Sequence, residues 1–471
     1  MVENEETTSR HSFWTNLSFG TYNILWTIPS ATINLFYIFY YDIIVGLQLW
    51  QILLIVAINT VWAGLNDPLI GWLTDRNFKW TRKWGRRFPW IVIGFIPLSL
   101  SLVMIFSAPD LPKDGFGDLI DPLPAMIWLL ISLFVYDLFI TLVDIHVSIL
   151  RADKFRTETE RRKYAGHWGV FDMVAQSVGM IIPPLLVVDI LFGIDNPLSY
   201  TLMAIIMASI MIIFGIIFVL KGAREDKIVI DRYYSRDYEP LHIFRGLLLV
   251  LKQKSFMALY AHYTLWLTAT TIMTGMVVYL TNFVLQGSDM TIFLALFLVG
   301  SLVSIPFWLK ILKKMKNSKK TYLIGSLILS ALIIALTFFQ TDIDFMIMMF
   351  LMGFGNGCVW SIGMPVLYSN AQDDFVARTG KNQKGILVGT WAVIGMITAF
   401  IDEALITLVF WLTGFNETIP NYWNNELAIR LLVGVVPALV ILLGTLIFWK
   451  FYPLTQEKVL ENKAKLKELG F

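Results

Sequence analysis

The segment Asn66-Asp67-Pro68-Leu69-Ile70-Gly71-Trp72-Leu73-Thr74-Asp75-Arg76, followed by RKWGRRFPW at residues 82–90, decides the fold of this chain. An acid, Asp67, lies deep in an apolar stretch, and a loop crowded with arginine and lysine follows within one helix length. A charged side chain at the centre of a membrane helix costs about 2.5–3.5 kcal/mol on insertion scales, so it is kept where it has a function. The segment therefore predicts a membrane helix that carries a functional acid and ends at a basic loop.

The composition assigns the rest of the chain to the membrane as well. Of 471 residues, 56% are hydrophobic and only 15% are charged. A polytopic membrane protein is the class that fits these fractions. The single cysteine, Cys358, lies in an apolar run. It excludes a disulfide framework and a thiolate metal site.

Twelve apolar segments reach the length of about 20 residues that a spanning helix needs. They are residues 13–41, 47–74, 89–108, 124–150, 164–189, 200–221, 256–285, 290–312, 321–340, 343–371, 384–413 and 427–452. We therefore predict an all-α polytopic membrane protein whose twelve transmembrane helices form two six-helix bundles, the major facilitator fold. The expected parts are a first bundle, a linker with an amphipathic helix at 241–255, a second bundle and a tail: 1–221, 222–255, 256–452 and 453–471.

Lysine and arginine are distributed unevenly between the loops. The loops after the second, fourth, eighth and tenth segments are basic, whereas the opposite side carries only Lys113 and Arg430. Because cytoplasmic loops of membrane proteins hold the excess of lysine and arginine, we expect both termini in the cytoplasm and a multi-pass protein of the cell membrane. Two six-helix repeats joined by a cytoplasmic linker are typical of transporters that bind solute at the midplane between the halves.

The acids of the predicted membrane helices form a short set, and no lysine or arginine lies in mid-segment to pair with them. The set is Asp67, Asp137, Asp144, Asp172, Asp402 and Glu403. Such a carboxylate stays ionised only if it binds a cation or faces water, and otherwise it takes up a proton. Both outcomes suit cation-coupled transport.

Asp67 is the strongest candidate for a cation site. Pro68 removes a backbone donor and frees a carbonyl group one turn earlier, near Ala63 and Gly64. The carboxylate, the Asn66 amide and this carbonyl would together make an oxygen-rich pocket for Na⁺, or a protonation site. Asp67 is a metal ligand only if the coupling ion is Na⁺. The alternative is an acid that caps a break in a kinked helix.

The acids of the fourth segment share one helix face, because Asp137 and Asp144 are seven residues apart. We expect Asp144 in the solute cavity, where it would bind the cation and the substrate, and Asp137 nearer the outer end. His146 is either a substrate contact or a packed histidine that bonds a carbonyl group. Asp402 and Glu403 are either functional acids or ordinary surface on the outer half of their helix.

Three tryptophans in mid-segment are candidate substrate contacts, because a flat apolar ring stacks on the C–H face of a pyranose. They are Trp26, Trp360 and Trp391, and helix packing is the alternative for each. Trp360 follows the glycine-rich run 353–357, which lets helices approach closely. The chain has no Walker motif, dinucleotide fingerprint or nucleophile elbow. We therefore expect no enzyme, no organic cofactor and no nucleic-acid partner.

Three stretches resemble the glycoside–pentoside–hexuronide:cation symporter family, of which melibiose permease is the familiar member. They are Asn66-Asp67-Pro68-x-x-Gly71 with Gly85-Arg86-Arg87-x-Pro89-Trp90, the stretch DDFVARTGKNQKG at 373–385, and Asp144-Ile145 with the charged loop 157–162. The resemblance implies a cation site at Asp67 and Asn66 and a role for Asp144 in sugar recognition.

Three positions depart from the pattern of melibiose permease. Ala63 stands where that protein has a second cation carboxylate, Leu25 or Trp26 stands near its sugar-binding aspartate, and Gly395 stands near its lysine of span 11. One carboxylate with an amide is a poorer cage for Na⁺ than two, which favours protons. The same superfamily branch includes lysophospholipid symporters.

We therefore expect a monomeric secondary transporter that couples H⁺ or Na⁺ to a small solute by alternating access, with a sugar or glycoside as the first choice of solute. A lysolipid or other amphiphile symporter, and a non-transporting sensor that retains the fold, are the alternatives. The expected partners are the solute, the coupling cation and the lipid bilayer. The expected cytoplasmic gate consists of Gly71, Asp75, Arg76, Arg86, Arg87 and Arg378.

Overall fold

In the residues that the computed structural model describes, the regular structure is helical, apart from one isolated bridge between Lys113 and Leu119. The structure describes residues 11–74, 78–115, 117–155, 158–227, 230, 251–379, 384–416 and 423–468. Within these ranges the side chains at 67–68, 72, 152–153, 158–159, 161–163, 165–166, 364–365, 379, 384–397 and 467 are outside the description. The chain divides into two compact units, Met1–Pro240 and Leu241–Phe471.

The first unit contains eight helices within the described ranges. They are α1 (Phe13–Gly20), α2 (Tyr22–Phe39), α3 (Leu49–Thr74), α4 (Thr81–Trp84), α5 (Phe88–Ile105), α6 (Leu123–Lys154), α7 (Glu158–Pro184) and α8 (Pro197–Ile217). Short π-helical stretches extend α2, α7 and α8 at Tyr40–Val45, Leu185–Ile190 and Phe218–Gly222. Helix α2 packs against α7, and α6 packs against both α3 and α5.

The second unit has nine helices in the part that the structure describes. They are α9 (Lys254–Phe283), α10 (Met290–Met315), α11 (Ser318–Ala335), α12 (Asp342–Cys358), α13 (Ser369–Thr379), α14 (Lys384–Thr413), α15 (Trp423–Arg430), α16 (Val436–Phe451) and α17 (Gln456–Glu468). A long π-helical stretch, Val359–Tyr368, joins α12 to α13, and a shorter one, Leu431–Val435, joins α15 to α16.

The predicted membrane helices agree well with the observed ones. Among the described residues, eleven helical segments are long and apolar enough to cross a membrane. The remaining predicted segment, 384–413, is the continuous helix α14, whose side chains up to 397 lie outside the description. The all-α membrane architecture is therefore confirmed. The end of the first segment was placed too early, because the helix continues to Val45 and stops only at Gly46, where φ is +90°.

The finer domain boundaries at 221, 255 and 452 stay a prediction. Most of the expected amphipathic helix at 241–255 lies outside the described residues, and α9 already begins at Lys254.

Helices α10 and α12 form the most extensive pair in the second unit, and glycines set their separation. A Cβ atom added to Gly300 would lie 2.2 Å from the Phe350 carbonyl oxygen. A Cβ atom added to Gly353 would lie 2.1 Å from the Phe297 carbonyl oxygen. Each helix therefore places a glycine against the backbone of the other, which is the small-residue packing typical of membrane helices.

A polar junction connects the ends of α5, α6 and α8. The Glu225 carboxylate accepts hydrogen bonds from the backbone N–H groups of Arg87 (2.9 Å) and Phe88 (3.3 Å) at the start of α5. A negative charge at a helix N-terminus is favourable because the first N–H groups have no partner within the helix. The ammonium group of Lys154, at the end of α6, donates to the carbonyl groups of Gly222 and Arg224 at 2.9 and 2.8 Å.

The C-terminal helix α17 packs on α13 around one carboxylate. Asp374 is fully buried and accepts hydrogen bonds from Gln253 (3.2 Å), Ser255 (2.7 Å), Asn462 (3.1 Å) and Arg378 (3.0 Å). The predicted tail contains this helix, and one face of the helix is buried at Asn462.

Candidate transport site

Asp144 is the centre of a polar cluster inside the first unit. The Tyr22 hydroxyl of α2 donates a hydrogen bond of 2.7 Å to the Asp144 carboxylate. Ser148 and Arg151 lie one and two turns further along α6. Ser148 forms a hydrogen bond with the same carboxylate, and Arg151 interacts with it through its positive charge. Tyr22 is buried, so this hydrogen bond satisfies a hydroxyl group that is withdrawn from water.

Trp168 of α7 completes the cluster on the side of Arg151. The Arg151 guanidinium lies 5.4 Å from the centre of the Trp168 ring, and the Tyr22 ring lies 5.7 Å from it. The Asn23 amide donates to the Trp168 carbonyl oxygen at 2.7 Å and so joins α2 to α7. The cluster offers an anion, a cation and an aromatic face within a small volume.

Trp26 lies one turn after Tyr22 on α2, and 42% of its surface is exposed. The next residue, Thr27, donates a 2.9 Å hydrogen bond to Asp172 of α7. The Trp26 side chain is therefore partly exposed, one turn along α2 from the Tyr22 that binds Asp144. Its role as a substrate contact stays a prediction.

Asn66 connects the Asn-Asp-Pro motif to α6. Its amide nitrogen lies 3.2 Å from both the carbonyl oxygen and the carboxylate of Asp137. Asn66 is 1% exposed, and its amide oxygen has no hydrogen-bond donor among the described residues. The sequence predicted Asp137 nearer the outer end of its helix, and the structure places it beside Asn66 of the motif. The side chain of Asp67 lies outside the described residues.

His146 packs against α5, although the sequence made it a candidate substrate contact. Its ring lies parallel to that of Trp90, with centroids 6.2 Å apart, and its Nδ1 is 3.5 Å from the Arg87 guanidinium. It is fully buried. This position favours the packed histidine that the sequence left as the alternative.

The predicted gate residues fall into separate surroundings. Arg86 and Arg87 are buried, at 5% and 2% exposure, in the first unit. Gly71 is half-buried, and a Cβ atom added there would meet nothing within 4 Å. Arg378, in the second unit, is bound to Asp374. Asp75 and Arg76 lie outside the described residues, so the gate stays a prediction.

Trp360 belongs to an aromatic and polar cluster of the second unit. Its ring meets the Trp266 ring edge-on at 6.0 Å, and 39% of Trp360 is exposed. Trp266 donates a 2.8 Å hydrogen bond to Asn356, whose amide lies 3.4 Å from the Ser301 hydroxyl. The side chain of Trp391 lies outside the described residues.

Asp402 and Glu403 of α14 are both buried, with 4% exposure each. The surface alternative that the sequence left open for them is therefore wrong. In the described part of the chain, no group of three or more histidine, cysteine, aspartate or glutamate side chains could hold a metal ion.

Residues 18–456 match the sequence profile of the MFS/sugar transport protein family. The chain belongs to this family. Among curated relatives, the transporter is 22% identical over 456 residues to the sodium-dependent lysophosphatidylcholine symporter 1 of Gallus gallus, covering 88% of this chain and 82% of that protein. It is 25% identical over 170 residues to the inner membrane symporter YicJ of Escherichia coli, which covers 36% of this chain and 34% of that protein.

The transporter also shares its fold with a solved structure. The crystal structure of the nucleoside transporter NupG superposes with a TM-score of 0.59 at 12% identity, over 93% of this chain and 98% of that one. At this identity the likeness concerns the fold alone. The major facilitator fold expected from the twelve segments is thereby confirmed.

Proposed function

We propose that this transporter is a cation-coupled symporter whose coupling ion binds at the Asn-Asp-Pro motif of α3. The observation that carries the proposal is the position of Asn66. Its amide nitrogen donates to Asp137, while its amide oxygen is buried and meets no donor within the described part of the chain. A buried carbonyl oxygen without a donor is an unusual state, and a bound cation satisfies it.

Asp137 bears on which coupling ion the proposed site can bind. With Ala63 one turn before the motif, the sequence offered Asp67 as a lone acid and so favoured protons. Asp137 supplies a second carboxylate from α6, at the side of Asn66. Hard cations prefer oxygen ligands, and two carboxylates with an amide oxygen suit Na⁺ as well as H⁺. The proposal therefore includes Na⁺ on equal terms.

The solute that we propose first is a sugar or glycoside. The Asp144 carboxylate can accept hydrogen bonds from solute hydroxyl groups, and the half-exposed Trp26 indole can stack on a sugar ring one turn away. The family's name as a sugar transport protein agrees with this choice. The finer resemblance to glycoside–pentoside–hexuronide:cation symporters, carried by Asp67, Asn66 and Asp144, belongs to the same proposal.

A lysolipid is the second candidate, because the cluster also contains a cation beside an aromatic ring. Arg151 over Trp168 can bind a phosphate group, since guanidinium groups pair with phosphate oxygens. An aromatic face next to an acid can also bind a quaternary ammonium group. The relative from Gallus gallus, named a sodium-dependent lysophosphatidylcholine symporter, covers most of the chain and supports this candidate.

The orientation that we propose has both termini and the basic loops in the cytoplasm of a multi-pass cell-membrane protein. Its support is the lysine and arginine bias of the loops. We further propose a monomer that carries out transport and no enzymatic reaction, with the expected gate at the cytoplasmic ends of its helices.

The test begins with a thermal-shift screen of the purified protein against glycosides and lysolipids, with and without Na⁺ and across pH. A ligand that binds the folded state alone raises its melting temperature. The solute found in this way is then used for uptake into proteoliposomes under an imposed Na⁺ or proton gradient. A shift that depends on Na⁺, or on pH alone, identifies the coupling ion.

In that uptake assay, Asp67→Asn and Asp137→Asn should abolish concentrative uptake, because each removes a charge that the cation needs. Exchange of labelled solute across the membrane should continue. Asp110→Asn, an exposed acid of the loop before α6, is the matched control and should transport like the wild type. Undiminished concentrative uptake by Asp67→Asn would overturn the coupling proposal, and undiminished uptake by Asp137→Asn would remove Asp137 from the site.

A further inference from the structure

Two consecutive acids are buried in the second unit, whereas the Asn-Asp-Pro motif belongs to the first. Asp402 and Glu403 are each 4% exposed and lie on α14, which packs against α9. Thr268 of α9 is fully buried and lies beside the Asp402 carboxyl group. The proposed cation site in the first unit uses none of these three residues.

Each of the two acids has one carboxyl oxygen atom that finds no hydrogen-bond partner in the part of the chain that the structure describes. Among the described residues, Asp402 Oδ1 and Glu403 Oε2 are buried and have no hydrogen-bond partner, and the Thr268 hydroxyl lies at the Asp402 carboxyl group. The Thr407 hydroxyl, one turn after Glu403 on the same helix face, is also buried without a partner. Buried polar groups are hydrogen-bonded in the great majority of cases, so these oxygen atoms indicate a ligand that supplies donors.

The titratable groups on the neighbouring helices have other partners. On α9, His262 bonds Tyr322 and Thr445, and Tyr279 packs on Phe410 and Phe415. Elsewhere on α9, Tyr260 stacks on Phe256, Tyr263 lies against Trp266, and Lys254 is the first residue of the helix. On α15, Arg430 binds Glu426. On α13, Arg378 binds Asp374, and Asp373 also interacts with another group. The stretch Leu431–Val435 carries no titratable side chain.

We propose that Asp402 and Glu403, with the Thr268 hydroxyl, form a proton-binding site inside the second unit. An unpaired charge is too costly to bury in an apolar medium, whereas a carboxylic acid is neutral. Binding is the addition of H⁺ to a carboxylate oxygen, and the new O–H group becomes the donor that the neighbouring oxygen atoms lack. Consecutive residues on a helix point about 100° apart, so each of the two acids binds a proton of its own.

The site goes beyond the proposed function, because it holds protons whatever solute or ion the first unit takes. The second unit thereby has acids of its own that can bind and release a proton. A conformational change that exposed either acid to water would release a proton, independently of the cation at Asp67.

Infrared spectroscopy of the purified protein in lipid nanodiscs tests the site without any solute. A protonated carboxyl group gives a C=O stretching band that an ionised one lacks. At neutral pH, the wild type should show this band, and Asp402→Asn and Glu403→Gln should each remove part of it. Glu457→Gln, an exposed acid of α17, should leave the band unchanged. Asp67→Asn should also leave the Asp402 and Glu403 contribution intact, which separates this site from the proposed coupling site.

An unchanged band in the double variant Asp402→Asn/Glu403→Gln would overturn the proposal, because both acids would then be ionised in the wild type. Where that variant is not monodisperse, Thr268→Val serves instead. Loss of the hydroxyl group should shift the band of the Asp402 carboxyl group. A band identical to that of the wild type would exclude Thr268 from the site.

Discussion

At the scale of single residues, Lys154 makes the stability of the first unit depend on pH. Its ammonium group is buried among the carbonyl groups of Gly222 and Arg224. Burial lowers the pKa of Lys154 to about 8, although the neighbouring carboxylates of Asp226 and Glu225 act in the opposite direction. An exposed lysine has a pKa of about 10.4.

The sign of the effect follows from proton counting. From pH about 8 up to about 10.4, the folded state has released the Lys154 proton while the unfolded state still holds it. Stability rises with pH wherever the unfolded state binds more protons. We therefore expect the free energy of unfolding to rise by up to about 3 kcal/mol across this window. Thermal melting in detergent at several pH values measures it.

Lys154→Met is the reference for this measurement, because it lacks the titrating amine and keeps an unbranched side chain. The melting temperature of the wild type minus that of this variant should increase as pH rises. Lys463→Met, at an exposed position of α17, should follow the wild type. Parallel curves for the wild type and Lys154→Met would contradict the expectation.

The sequence indicated which residue types would form the site, but not which of those residues would contact one another. Buried acids in an apolar chain are rare and costly, so Asp67, Asp144 and Asp402 could be selected from the sequence. Asn66 and Asp137 are separated by 71 positions, and no local pattern sets the rotation of α6 against α3. Tyr22 and Trp168 were missed for the same reason. The polar residues 21–23, in an otherwise apolar segment, were the available signal.

At the scale of elements, the glycines of α10 and α12 fix how closely these helices pack. A methyl group at position 353 would collide with the Phe297 carbonyl oxygen, and backbone atoms cannot move aside as a flexible side chain can. Gly353→Ala should therefore destabilise the second unit by about 1–3 kcal/mol, the usual effect of overpacking. Thermal melting of the purified variant measures the loss.

Gly169→Ala in α7 is the matched control, because nothing lies within 4 Å of the added Cβ atom. Alanine favours a helix more than glycine does, so this variant should melt at or above the temperature of the wild type. If Gly353→Ala and the wild type had the same melting temperature, α10 and α12 could move apart without lowering the free energy of unfolding.

The elements themselves were the part that the sequence predicted best. About 20 consecutive apolar residues are needed to cross a bilayer, and this requirement leaves a strong signal in the chain. The ends were harder, because Gly46 and the π-helical stretch before it are not visible in an apolar pattern. The burial of Asp402 and Glu403 was not predictable, since it depends on neighbours on two sides of α14.

At the scale of the whole molecule, the loop charges predict a topology that cysteine labelling can measure. Cys358 is fully buried, so Cys358→Ala gives a background without reactive thiols. In that background, Gly115→Cys should react with an impermeant maleimide in intact cells. Lys314→Cys and Glu461→Cys should react only after the membrane is opened, because the basic loops and the tail are expected inside.

All three introduced cysteines occupy exposed positions, so access to the reagent is decided by the side of the membrane. Labelling of Gly115→Cys should approach completion in intact cells, and the other two should stay at background. Labelling of Lys314→Cys in intact cells would indicate the opposite topology, with the proposed gate at the outer surface.

The buried carboxylate of Asp374 has a consequence for the order of synthesis. Three of its donors, Gln253, Ser255 and Arg378, lie on or before α13, and the fourth, Asn462, lies on α17. Asn462 is therefore synthesised after the helices α9 to α16. Until α17 has been made, Asp374 lacks this donor, so the packing of α17 on α13 completes the hydrogen bonds of a carboxylate that was synthesised much earlier.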